Sequence, residues 1–192
     1  MSQENQKRFE EIVERFVELK DTSELMIDLA YSSLLLNSRE LAEEVQRLEE
    51  YVDGLHTDFE LLVLKSAFKK EEAKGLLGLI RLGVATEKIA DAAAQISEVV
   101  LRGIEPHPVL KLTIREAEET VAYAPIANDS PLIGKTLSEA RIPEETGMWI
   151  LAIRRGDKCI RPKPDSKIEA GDILIASGYS GGLESLRKLA SP

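Results

Sequence analysis

The 192-residue chain has a single cysteine, Cys159, which excludes an internal disulfide and any paired-cysteine zinc or redox site. That usage fits a reducing compartment. Its apolar runs, among them Leu34–Leu36 and Met148–Ile153, fall far short of the roughly 20 residues a membrane span requires, and the opening MSQENQKRFEE has no apolar signal region. The expectation is a cytoplasmic protein. No G-x-G-x-x-G occurs, so a dinucleotide-binding Rossmann unit is not expected within this sequence. Proline is missing from the first 105 residues, and all eight prolines fall at or after Pro106.

Charge divides the chain at the same place. Residues 1–105 hold 13 Lys and Arg against 22 Asp and Glu, whereas residues 106–192 hold 12 against 12, so the net charge of −9 belongs to the first part. An acidic chain without a dense basic patch repels phosphate backbones, and no nucleic-acid partner is expected. Two domains follow, residues 1–118 and 119–192.

The first domain reads as long helices. Phe9, Ile12, Val13, Phe16, Leu19, Met26, Ile27, Ala30 and Leu34 recur at three- and four-residue intervals, one face of a long helix. Ser38 caps a second helix, which carries Leu41, Val45, Leu48, Val52, Leu55, Phe59, Leu62 and Ala67 and is expected to stop near Lys74-Gly75. A third runs from Leu76 to Leu101 with small residues that permit close approach. Short loops make these an antiparallel bundle. In Leu25–Leu36, nine of twelve residues are apolar, more circumference than one bundle stripe needs. That second face should meet another subunit or the other domain.

After Gly103 the periodicity changes. The stretch VLKLTIREAEE suits a connecting helix. Thr120–Ile126, Met148–Arg154, Cys159–Arg161 and Ile173–Ser177 read as strands, while Lys135–Arg141 and Leu183–Ala190 read as helices. The order β-α-β-β-β-α makes a small α+β domain with helices on one sheet face.

Chemical motifs are few. Gly178-Tyr179-Ser180-Gly181-Gly182 has the form of a nucleophile elbow between strand and helix, but no His or Asp follows it. It reads as a glycine-rich turn, and no enzymatic activity is expected. Gly134-Lys135-Thr136 ends like a phosphate loop, yet Asp129 stands where the first glycine is required. Glu24 with Asp28, and Glu87 with Asp91, form E-x-x-x-D pairs on helices one and three. At this spacing both carboxylates share a helix face and repel unless a cation neutralises them. Two such pairs suit a hard divalent metal, or simply a solvated acidic face, since pairs such as Glu10/Glu14 and Glu40/Glu44 arise by chance in so acidic a region. Asp53, His56 and Glu60 share a stripe without a second histidine. Arg154, Arg155, Lys158, Arg161 and Lys163 cluster at the second hairpin, able to meet an anion or to face solvent.

Two resemblances sharpen these expectations. SELMIDLAYSSLLLNSRELAEEV together with TEKIADAAAQISEVV resembles one three-helix unit of the PhoU family, whose recurring acidic motif implies metal ligation by Glu24, Asp28, Glu87 and Asp91. The PLIGKTL entry, the WILAIRRG strand and turn, and the P-x-x-D-x-x-I-x-x-G-D-I-L-I series resemble the C-terminal ligand-binding domain of the TrkA and RCK potassium-transport regulators. That resemblance implies a homodimer whose cleft binds a nucleotide or cation effector, with Ile150, Leu151, Arg154, Arg161 and Pro162 near the site. The combined expectation is a regulatory protein acting on a separate membrane transporter subunit. The alternative is a PhoU-like metal-binding or scaffolding protein linked to phosphate-transport regulation.

Overall fold

The computed structural model describes residues 3–66, 73–103, 109, 119–156 and 158–191. Three long helices come first: α1 (Gln3–Leu36), α2 (Arg39–Lys65) and α3 (Ala73–Leu101). Asn37, at φ 48°, ends α1 in the left-handed conformation that asparagine tolerates, and the Ser38 hydroxyl caps α2 by accepting from the Leu41 N–H. Helix α2 stops earlier than its apolar spacing suggests. At Ser66 the chain leaves helical geometry, and the Ser66 hydroxyl donates to the Leu62 carbonyl. The expected connecting helix after Val109 lies outside the described residues.

The bundle core follows the expected stripe in part: Phe9 and Val13 of α1 are exposed, and Leu29, outside the stripe, joins the core. Leu19, Met26 and Leu29 of α1, Leu41, Val45 and Val52 of α2, and Ala90 and Ala93 of α3 are buried in one cluster. Burying each large apolar side chain is worth about 1.5–3 kcal/mol. At the other end of the bundle, Phe16 and Phe59 meet with ring centroids 5.3 Å apart.

The second domain has strands β1 (Glu119–Pro125), β2 (Met148–Arg155), β3 (Lys158–Ile160) and β4 (Ile173–Tyr179). Between β1 and β2 lie two short helices, α4 (Leu137–Ala140) and α5 (Ile142–Thr146), where one was expected; Arg141, at φ 47°, breaks them apart. Helix α6 (Leu183–Ala190) closes the domain. The sheet is antiparallel in the order β1-β4-β2-β3. The element order therefore agrees with the α+β expectation.

Both sheet faces are covered. Ala122, Ala124, Met148, Ile153, Leu174 and Ala176 point to the domain's own core with Leu186 of α6. The alternate residues Ala152 and Ile175, with Val121 and Tyr123 beside them, belong to the same cluster as Leu25, Met26 and Leu29 of α1. The surplus apolar face of α1 is thus met by the chain's own sheet. This also explains why Ile173–Ala176 reads as continuous rather than alternating hydrophobicity.

The two motifs resembling catalytic loops have structural causes. Thr136 is the N-cap of α4: its hydroxyl accepts from the Glu139 N–H at 3.2 Å, and the Glu139 carboxylate accepts from the Thr136 N–H at 2.8 Å. The Thr136 hydroxyl also donates to the Glu139 carboxylate at 3.1 Å, and this bond and, above all, the one from the Thr136 N–H hold the Glu139 carboxyl below its ordinary range. The GYSGG segment turns through a single 3-10 turn, Ser180–Gly182, into α6.

Candidate functional site

Strand β2 controls what the C-terminal domain exposes. Its pairing with β4 shifts between Ile150 and Ala152, leaving Leu151 as the extra, half-buried residue of a bulge. Upstream of the bulge Met148 is buried, whereas Trp149 is 55% exposed. Trp149 and Ile150 form one wall of a cavity of about 340 Å³. Arg141, Ile142 and Pro143, from the junction of α4 and α5, form a second wall, and Pro162, Lys163 and Pro164 after β3 form a third. An indole, three prolines, two isoleucines, the cations Arg141 and Lys163, and the carboxylate of Glu144, 4.0 Å from Arg141, thus converge on one open cleft. Apolar and aromatic walls suit a flat ring, and Arg141 and Lys163 suit its anionic groups.

Of the five residues expected at a ligand site, Ile150 and Pro162 line this cavity. Leu151 does not, because the bulge turns it away. Arg154 pairs with Glu40 of α2. Arg161 donates to the Asp21 carbonyl oxygen at 2.6 Å and to Glu24 Oε2 at 2.5 Å, both on α1. The basic hairpin cluster is accordingly neutralised mostly from within. Arg155 forms a fork on Asp172, Nε to Oδ1 and a terminal nitrogen to Oδ2 at 2.8 Å each, and Asp172 is 1% exposed. The Asp172 carboxylate keeps the Arg155 guanidinium charged more firmly than usual. Sequence reasoning missed Trp149 and Arg141. Trp149 had a signal, as the sole tryptophan standing next to a buried strand residue.

The four acidic residues are not brought together. Glu24 is held below its ordinary range first by Lys20 and then by Arg161. Asp28 is pushed up, mainly by burial, with Arg161 attracting and Glu24 repelling it. Glu87 and Asp91 act instead on Glu49 of α2, which burial and the neighbouring Asp53, Asp91, Glu50 and Glu87 push up. Among the described residues no group of three or more His, Cys, Asp or Glu is placed to hold a metal ion. The expected convergence of the two pairs is corrected on this geometry: Glu24 is instead paired with the Lys20 ammonium at 2.7 Å and the Arg161 guanidinium at 2.5 Å. His56, packed near Gly83 of α3, has Glu60 at 3.5 Å.

The raised Asp28 pKa has a consequence for stability. The charged carboxylate is disfavoured in the folded state, so a cost that is absent well below pH 3.8 develops as pH rises through the elevated value. Asp28→Asn is therefore expected to melt slightly above wild type at pH 7, with the difference vanishing in acid. Thermal melts at pH 7 and pH 3 check this. A lower melting temperature for the variant at pH 7 contradicts it.

Comparison with known proteins agrees with both halves. Residues 16–100 match the family model of the PhoU domain, and residues 121–191 match that of the TrkA-C domain. Potassium channel protein 1 of Methanocaldococcus jannaschii is 42% identical over 64 residues, 33% of this chain and 19% of that protein. Probable potassium channel protein 2 of the same organism is 36% identical over 83 residues, 42% of this chain and 24% of that protein. The chain spans a quarter or less of the length of these relatives. Among solved structures, the RCK_C domain dimer of S. agalactiae BusR in complex with c-di-AMP is 28% identical, covering 36% of this chain and 92% of its own, with a TM-score of 0.35. The two family matches lie one after the other, a PhoU-like helical domain followed by a TrkA-C-like domain.

Proposed function

We propose that the chain is a non-enzymatic regulatory subunit, which binds a phosphate-bearing nucleotide in the cleft beside Trp149 and modulates cation transport by a separate membrane protein. The observation that carries this reading is the cleft itself. Trp149 and the prolines offer a stacking surface, and Arg141 and Lys163, both lining the cleft, supply the cations that phosphate groups would pair with. The TrkA-C match supports an effector-binding role, and the potassium channel relatives support cation transport as the process controlled. No helix of the described residues is long and apolar enough to cross a membrane, and in this reading the pore belongs to the partner.

The volume of about 340 Å³ lies at the small end of ligand pockets, which run from about 300 to 1,000 Å³. One copy then supplies part of the enclosure that a cyclic dinucleotide needs. In this reading a second copy closes the open side, and the protein works as a homodimer. Static light scattering on the full chain at micromolar concentration is expected to give twice the 21.3 kDa chain mass. A monomer, with and without ligand, contradicts that arrangement.

Because Trp149 is the sole tryptophan, the protein carries its own probe. Cyclic di-AMP, chosen for its two purines and two phosphates, is expected to change Trp149 emission saturably. ATP, NAD and cyclic di-GMP serve as comparison ligands. Emission that stays flat with all four contradicts a nucleotide site at this cleft.

A further inference from the structure

The chain after β3 runs Arg161, Pro162, Lys163, Pro164. Pro162, Lys163 and Pro164 line the cleft, whereas the Arg161 side chain is turned toward α1. Its guanidinium donates to the Asp21 carbonyl oxygen at 2.6 Å and to Glu24 Oε2 at 2.5 Å, and lies 3.4 Å from Asp21 Oδ1. Lys163 lines the cleft and also a second groove of about 330 Å³, walled by Asp21, Leu25 and Arg161. One four-residue strip therefore touches the ligand cleft on one side and the helical domain on the other. The two prolines fix φ at alternate positions, which stiffens the strip.

Resting on the reading of the cleft as a phosphate-ligand site, we propose that the contact of Arg161 with Asp21 and Glu24 is a latch between the two domains that ligand binding releases. A phosphate beside Lys163 brings negative charge to the strip and competes with the α1 carboxylates for the Arg161 guanidinium. The latched and released states then differ in affinity for the ligand, which is the condition for any ligand to shift their balance. Linkage makes the effect reciprocal: removing the carboxylates raises ligand affinity by the factor by which ligand favours release. For a partly exposed ion-pair network that factor is about 3- to 10-fold.

Cys159 reports on the latch without any added label site. It is the chain's only cysteine, two residues before Arg161. It is partly buried against the shared core, and its backbone N–H donates to Glu44 Oε1 of α2 at 3.4 Å. Its thiol reacts faster when the domains part.

The experiment compares the full-length wild type, Asp21→Asn/Glu24→Gln and Arg161→Met. For each, Trp149 fluorescence gives the affinity for cyclic di-AMP, and a disulfide reagent gives the rate of Cys159 labelling with and without it. In the wild type, cyclic di-AMP should accelerate labelling several-fold. The carboxylate variant should label fast without ligand, gain no further from it, and bind cyclic di-AMP about 3- to 10-fold more tightly. Arg161→Met should also label fast without ligand, and it separates loss of the latch from loss of the carboxylates. If all three proteins bind the ligand with one affinity and label at one rate, the latch is overturned. If cyclic di-AMP does not bind the wild type, the reading of the cleft and its coupling to the latch both fail. The ligand-free rates still judge the contact: faster labelling in both variants supports a latch between the domains, and wild-type rates refute it.

Discussion

Gly182→Ala is expected to destabilise the C-terminal domain by about 3 kcal/mol or more, beyond the usual cost of overpacking, because its new methyl group would fall on backbone that cannot move aside. A Cβ built at Gly182 lands on the carbonyl oxygen of Thr146, and one built at Gly178 lands on that of Gly147. The backbone at Gly182 is right-handed, with φ −80° and ψ −18°, so space and not dihedral freedom requires glycine there. Thr146 is itself fixed, its hydroxyl donating to the Ile142 carbonyl at 2.7 Å. Gly181, one residue away, has nothing within 4 Å of such a Cβ. Gly181→Ala is therefore the control, expected to stay within about 0.5 kcal/mol of wild type. Urea denaturation of the two variants checks the pair, and equal stabilities contradict this account of the glycine-rich turn.

Ile175→Ala should cost about 2–5 kcal/mol and weaken both halves of the molecule together. Ile175 is 0% exposed on the sheet face that joins the cluster of Leu25, Met26 and Leu29. Helical content reports mainly α1, α2 and α3, whereas Trp149 emission reports β2. With a core shared across the domain boundary, the two signals should follow one urea transition in wild type and move together in the variant. Two separated transitions in wild type, with only the Trp149 transition shifted in Ile175→Ala, contradict the shared core.

The local features were legible because local rules decide them. Leu183–Ala190 follows from its amphipathic spacing, and Ser38 announces the start of α2 as a hydroxyl cap. The surplus apolar face of Leu25–Leu36 told that something must cover the helix. It could not name the occupant, since a sheet of the same chain and a second subunit offer the same apolar surface. The cleft was harder still. Ile150 and Pro162 were named, but the bulge at Leu151 and the break at Arg141 decide which neighbours join them, and neither has a composition signal. Arg154 and Arg161 looked free because the partners Glu40 and Glu24 lie more than a hundred residues away in the chain. Charge pairing at that separation is set by packing, which spacing along the sequence does not encode.

The central claim is that the cleft of Arg141, Trp149 and Lys163 binds a phosphate-bearing nucleotide. Calorimetric titration of cyclic di-AMP into wild type and Arg141→Ala/Lys163→Ala tests it most directly, with circular dichroism to confirm that the variant is folded. Both side chains lie at the cleft surface, and losing two charge-assisted contacts should weaken binding at least about tenfold. No heat of binding in wild type, or the same affinity in a folded variant, would contradict the account.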